Sequence, residues 1–311
     1  MKRNKVSLIL TVFNEEKTIA KFLKSACSQT ELPDEIIITD GGSTDNTVKE
    51  ISEFKLEEGH PKIRILFKKG NRSIGRNHAI EKAENEIIAI SDAGCILDKD
   101  WLREILKPFE DNVDVVAGYY RGIPQNDFEK SLIPYVLVME DRVNEKDFLP
   151  ATRSMAIKKS AWEKAGKFNE RLSHNEDYAF ANKLKEIGAK IVFAKKAVVY
   201  WIPRDNFKQA FTMFSRFAYG DVESGIVRPK VVFIFARYLL ALFLFLFALY
   251  FNLRIVFQIL VIAFSLYWIW AIYKNFKYVK SYRAFYYLPL IQFTSDFAVL
   301  FGSSKAILKK V

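Results

Sequence analysis

Glu86-Ile87-Ile88-Ala89-Ile90-Ser91-Asp92-Ala93-Gly94-Cys95 is the stretch that sets the fold class. Glu86 to Ile90 is strand-compatible and almost wholly apolar, the pattern of a short buried strand. Asp92 sits just past its end. Two small residues follow, then Ile96 to Trp101, where an Asp can cap a new helix. In an open α/β sheet, ligands bind outside the carboxyl ends of the strands. A carboxylate there can hold a sugar hydroxyl or a divalent cation bridging phosphates, and small neighbours let a ligand approach the backbone. The same Asp, taken alone, equally serves to close a turn.

The preceding chain repeats that pattern. Val6 to Val12 reads as a first parallel strand. Asn14 to Thr18 opens a helix with acidic residues in its first turn, and Ile19, Phe22, Leu23 and Ala26 recur at helical spacing. Glu35 to Thr39 is a second strand, followed by the turn Asp40-Gly41-Gly42-Ser43-Thr44-Asp45 into a helix. Ile63 to Phe67 is a third, followed by a basic, glycine-bearing loop from Lys68 to Gly75 and a helix beginning at Arg76. Strand and helix alternate, which predicts βαβ units and a parallel sheet. The polar loops at Thr11–Glu15, Asp40–Asp45 and Asp92 then share one sheet edge, the pattern of a nucleotide site.

Together, Thr11-Val12-Phe13-Asn14-Glu15, Asp40-Gly41-Gly42-Ser43-Thr44-Asp45, Gly75-Arg76-Asn77 and Asp92 resemble the inverting family 2 glycosyltransferases of the GT-A fold, over roughly residues 5–220. The resemblance implies a Rossmann-like mixed sheet flanked by helices. It implies that Thr11, Phe13 and Glu15 line the base and ribose of a nucleotide-diphosphate sugar, that Asp40 faces the base, and that Arg76 and Asn77 lie beside the ribose or sugar. Asp92 matches the first acid of the family's Asp-x-Asp motif and is the implied ligand of Mg2+ or Mn2+. Gly41 and Gly94 depart from that pattern, each standing where many members carry a second acid.

Farther on, Val113 to Tyr120 is a strand candidate and Pro124 to Leu149 is irregular or helical. Ala151 to Ile157 reads as a strand and Ser160 to Gly166 as a helix ended by glycine. In the family the matching strand and helix wall the acceptor side, with Arg153 a candidate phosphate or acceptor contact. Then comes His174-Asn175-Glu176-Asp177-Tyr178, at a helix start, where such residues are first of all caps. The resemblance makes Asp177 the catalytic base beside Glu176, whose like charge raises the proton affinity of Asp177. A sugar hydroxyl is a poor nucleophile until a positioned carboxylate takes its proton. His174 is a local structural or acceptor-side residue. Phe207, Ala210, Phe211, Phe214, Phe217 and Ala218 form an apolar stripe on a helix that lies at a membrane surface or packs on the soluble domain. Arg216 on that helix corresponds to a family segment near the diphosphate. Phe217 follows it, unlike the Gln-x-x-Arg-Trp motif of processive synthases, which favours transfer of a single sugar.

The net charge of +11 is unevenly spread. From Val231 to Tyr273 the only charged residues are Arg237 and Arg254, so 311 residues divide into a mixed part and a membrane part. No nucleic-acid-binding motif is present, and the basic balance matches positive flanks and lipid contact. Two cysteines and three histidines are too few for a disulfide framework or a zinc site. The basic start, Met1 to Lys5, leads into an apolar run with no small-residue cleavage site, which predicts a cytosolic enzyme part. Val231–Phe251 and Leu253–Tyr273 are each long enough to span a bilayer, with a tight turn at Asn252. The basic loop Lys274–Arg283 places their shared end in the cytosol. Ala284–Gly302, containing Pro289, Gln292 and Asp296, is either a third span or a re-entrant helix. The expected organisation is a GT-A domain over 1–205, an interfacial helix and linker over 206–230, and a multi-pass membrane part over 231–311. The expected activity is inverting transfer from a nucleotide-diphosphate sugar to a lipid-linked hydroxyl. The alternatives are a polyprenyl-phosphate sugar synthase, whose anionic acceptor needs no base, and a non-catalytic nucleotide-sugar-binding membrane protein.

Overall fold

The computed structural model describes residues 4–109 and 112–310; Met1–Arg3 of the basic start lie outside the described residues. In chain order the elements are β1 (Val6–Val12), α1 (Ile19–Cys27), β2 (Glu35–Asp40), α2 (Thr47–Ser52), β3 (Lys62–Phe67), α3 (Arg72–Lys82), β4 (Ile87–Ile90), β5 (Cys95–Leu97), α4 (Trp101–Leu106), β6 (Val115–Gly122), α5 (Asp127–Val136), β7 (Met155–Lys158), α6 (Lys159–Lys164), α7 (Glu176–Glu186), β8 (Ile191–Trp201), α8 (Phe207–Glu223), α9 (Pro229–Tyr250), α10 (Arg254–Val279) and α11 (Ala284–Lys310).

The strands form one sheet in the order β3-β2-β1-β4-β7-β6-β8-β5. The first four are parallel; β1, β2 and β4 are covered on both faces and carry apolar runs, whereas β3 is the half-exposed edge strand. β7 then pairs antiparallel with β4 and with β6, and β5 pairs antiparallel with β8, so the sheet is mixed. The parallel register aligns the carboxyl ends: Val12 lies opposite Asp40, and Asp40 opposite Phe67. Ile9, Ile37, Ile88, Ile90, Met155 and Ile157 are buried with Trp162, Phe168, Phe180 and Leu184 in the core beneath them.

The chain divides into two compact units. The first runs to Ile123 and resumes over Met139–Ile202; the second comprises Pro124–Val138 and everything from Pro203 onward. α5 therefore groups with the C-terminal helices. Phe128 on α5 stacks edge-on against Phe207 and Tyr287, and the Tyr135 hydroxyl donates to Leu288 O at 2.8 Å.

In the second unit, α9, α10 and α11 are each long and apolar enough to cross a membrane. Asn252, at φ 52°, forms the expected turn between the first two. α11 runs on past Gly302 to Lys310 and is more covered by protein than α9 or α10. Part of that cover is α8, which packs on it so closely that a Cβ at Gly302 would lie 2.2 Å from Ser215 O. Asp296 is buried on α11 and ties the three helices together, accepting from Arg237 Nη2 at 2.8 Å, Tyr238 at 3.0 Å, Tyr267 at 2.6 Å and Gln292 at 3.0 Å.

Candidate active site

The first two edge loops are stitched to each other. Asn14 adopts φ 57°, its Oδ1 accepts from Thr44 N at 2.8 Å, and its own N–H donates to Ser43 Oγ at 2.9 Å. Glu15 N donates to Thr47 Oγ1 at 2.7 Å. Phe13 is left 58% exposed at this edge, an open aromatic face. Asp40 is instead 3% exposed, and its Oδ2 closes its own turn by accepting from Gly42 N at 2.9 Å and Ser43 N at 3.0 Å. Its carboxylate shapes the loop at the carboxyl end of β2.

α3 begins a turn earlier than the glycine-bearing sequence suggests, because Asn71 Oδ1 caps it by accepting from Ile74 N at 3.1 Å. Gly75 is required inside this helix: a Cβ there would lie 2.6 Å from Thr11 Cγ2, so only glycine lets α3 press onto β1. That contact carries Arg76 into the interior, 2% exposed, with its guanidinium 5.7 Å from the Phe168 ring centroid. Its Nη1 donates to Glu176 Oε1 at 2.6 Å and its Nη2 to Asp92 Oδ1 at 3.0 Å. One guanidinium thus joins two acids that are 16 and 100 residues away in sequence.

Asn77, the next residue, is hydrogen-bonded to the scaffold. Its amide N–H groups donate to Phe168 O and Glu170 Oε1, and its Oδ1 accepts from Trp162 Nε1 and Phe168 N. All four hydrogen-bonding positions of the side chain are filled by scaffold. Asn77 thus ties α3 to the chain ahead of α7.

Asn175 enters α7 in the left-handed region, at φ 59°, and delivers Glu176 and Asp177 to the site. Glu176 is 4% exposed. Burial works against its charge, but Arg76 and then Arg72 hold its carboxyl below the usual range. Asp92 behaves alike: Arg76, Arg153 and Arg72 overcome burial and keep it ionised. Asp177 goes the other way. Burial first, then the Glu176 charge, raise its carboxyl above the usual range, while Arg76 and Arg153 pull against them. Its Oδ1 accepts from Tyr178 N at 2.8 Å. Two neighbouring acids whose proton affinities are shifted in opposite directions suit one fixed charge and one proton acceptor. Cys95, beside this cluster, has its thiol pushed up to about 12 by burial and then by Asp92, which leaves it unreactive.

Arg153 joins the same cluster from the turn before β7, whereas His174 is half-buried just ahead of Glu176. Arg216 is exposed on α8, in the second unit. Sequence alone gave no sign of the Arg76 bridge or of Arg153 facing Asp92, because neither lies at helical or strand spacing from its partner.

The family model described as glycosyl transferase family 2 matches residues 7–163. The chain belongs to glycosyl transferase family 2. Its mixed sheet with flanking helices is the GT-A fold. Among this family 2 chain's relatives is the undecaprenyl-phosphate 4-deoxy-4-formamido-L-arabinose transferase of Proteus mirabilis, 29% identical over 137 residues, 42% of this chain and 41% of the relative. The match thus spans less than half of that relative's length. The O-antigen chain rhamnosyltransferase RfbN of Salmonella typhimurium is 25% identical over 226 residues, 67% of this chain and 70% of its own. Among solved structures, the mannosyltransferase PcManGT from Pyrobaculum calidifontis, in complex with GDP-Man and Mn2+, superposes with a TM-score of 0.64 at 17% identity, over 100% of this family 2 chain and 89% of that one.

Proposed function

We propose that the chain is a membrane-embedded inverting glycosyltransferase that moves a sugar from a nucleotide-diphosphate sugar to a hydroxyl of a lipid-linked acceptor. The observation that carries this reading is the chain of contacts Asp92–Arg76–Glu176, which fixes Asp177 at the same place with a raised proton affinity. Asp177 takes the acceptor hydroxyl proton. The freed oxygen attacks the anomeric carbon in line, the carbon–oxygen bond to the diphosphate breaks, and its electron pair leaves with the diphosphate. One displacement inverts the anomeric centre. Glu176 acts through Arg76 as a positioning residue, and the exposed Phe13 supplies a surface for the base.

A divalent cation fits this site in one way. Asp92 Oδ1 is engaged by Arg76, and Gly94 brings no second carboxylate. Among the described residues no group of three or more His, Cys, Asp or Glu could hold a metal ion. Asp92 Oδ2 would therefore be the chain's contribution, with water and substrate phosphates completing the shell, as Mg2+ commonly requires. Bound there, Mg2+ or Mn2+ would offset negative charge on the diphosphate.

The three apolar helices and the relative named as an undecaprenyl-phosphate transferase support a lipid acceptor. The basic loop of Lys274, Lys277, Lys280 and Arg283 supports a cytosolic enzyme face. That relative's name also supports a second reading, a polyprenyl-phosphate sugar synthase. Radiolabelled nucleotide-sugars incubated with membranes that contain the chain separate the outcomes. Label in a lipid extract supports a lipid acceptor, and Asp177→Asn leaves label transfer largely intact only where the acceptor is already an anion. No transfer from any nucleotide-sugar would end the proposal.

A further inference from the structure

β7 runs antiparallel to β4 with Ile90 opposite Met155, so continuing the pairing by two residues sets Arg153 opposite Asp92. The turn that holds it is locked on three sides. Ser154 N donates to Ala151 O at 2.9 Å, Gly118 N to Ser154 O at 2.8 Å, and Ser91 Oγ to Arg153 O at 2.8 Å. The guanidinium carbon lies 5.1 Å from the centroid of the Tyr120 ring. Its Nη1 is buried and has no hydrogen-bond partner. A charged donor held in the interior without an acceptor is costly, and in a native structure it demands an explanation.

Position 94 supplies the second observation. A Cβ at Gly94 would meet nothing within 4 Å. Packing does not exclude an acidic side chain there, yet the chain has none, and its acid at 92 is shared with Arg76. The site therefore offers one carboxylate, Asp92, and beside it a second guanidinium with an unsatisfied donor.

We propose that Arg153 is a diphosphate-binding residue: its unpaired Nη1 donates to a phosphate oxygen of the nucleotide-sugar, so that a fixed guanidinium takes charge that a second acid at position 94 would have assigned to a metal ion. The proposal rests on the nucleotide-sugar reading above. As the anomeric carbon–oxygen bond breaks and its electron pair moves onto the diphosphate, Arg153 meets that charge with a charge-assisted hydrogen bond, while the acceptor proton goes to Asp177.

Isothermal titration of the full chain in nanodiscs with UDP and with GDP, in EDTA and in Mn2+, tests this. The expected result is that at least one nucleotide binds in EDTA, and that Arg153→Met weakens that binding roughly ten- to a hundredfold, with Arg153→Lys recovering part. Far-UV circular dichroism of Arg153→Met stays unchanged, because Ser91 holds the main chain at 153 and not its side chain. Gly94→Asp makes binding more dependent on Mn2+. Nucleotide binding that requires Mn2+ and ignores Arg153→Met overturns the proposal alone. Failure of both nucleotides to bind in either condition overturns the nucleotide-sugar reading, and the proposal with it.

Discussion

Arg76→Met removes the charge that joins Glu176 to Asp92 while keeping most of the buried stem. Arg76 is 2% exposed and Glu176 4%, so water does not screen their 2.6 Å contact. The arm to Asp92, 38% exposed, contributes at most about 1 kcal/mol. Removing one partner of a buried pair costs about 3–5 kcal/mol, because the other charge is left uncompensated. At about 2–4 °C per kcal/mol for a domain of this size, the melting temperature falls by about 6–20 °C. Tryptophan fluorescence suits the assay, since Trp101 and Trp162 are fully buried in the first unit. The double variant Arg76→Met/Glu176→Gln removes the stranded charge and recovers much of the loss. Transfer activity stays low in the double variant, because Asp92 has still lost its anchor. An Arg76→Met melting temperature within about 1 °C of wild type, or a double variant as unstable as the single, would refute the buried-pair argument.

Other consequences are equally direct. The proposed base mechanism needs Asp177 ionised, and its carboxyl is raised by burial and by Glu176; it predicts that the acid limb of the pH–rate profile falls above the ordinary Asp value of about 3.9. Glu176→Gln removes the second of those causes, and a steady-state pH series should show the limb moving to lower pH. Gly75→Ala puts a Cβ 2.6 Å from Thr11 Cγ2 and should destabilise by about 1–3 kcal/mol, part of which Thr11→Ser restores; denaturant titration reads both. In the second unit, Asp296→Leu strands Arg237 among apolar helices, so the melting temperature in detergent should drop, and Arg237→Leu/Asp296→Leu should regain much of the loss.

The sheet edge was legible because β1, β2 and β4 are buried on both faces, and such strands read as unbroken apolar runs. The position of Asp92 past β4 and the turn at Asn252 followed from the same local signals. What stayed hidden was non-local. Lys68 to Gly75 carries the composition of a loop, yet Asn71 caps a helix inside it and Gly75 serves packing against Thr11. Asn77 is polar and next to Arg76, but its four partners lie between 162 and 170, out of reach of any spacing rule. Like-charge repulsion from Glu176 was visible for Asp177, whereas burial, the larger cause, depends on the packed fold. α5 joins the second unit through contacts about 150 residues away in sequence, such as Tyr135 with Leu288.

The central claim is that Asp177 strips a proton from the acceptor at a nucleotide-sugar site held together by Arg76. Single-turnover transfer from a labelled nucleotide-sugar by wild type and Asp177→Asn, with nucleotide affinity measured on the same samples, tests it most directly. The account predicts unchanged affinity with transfer slowed at least about a hundredfold and an inverted anomeric centre in the wild-type product. Transfer by Asp177→Asn at close to the wild-type rate, or retention of configuration, would contradict it.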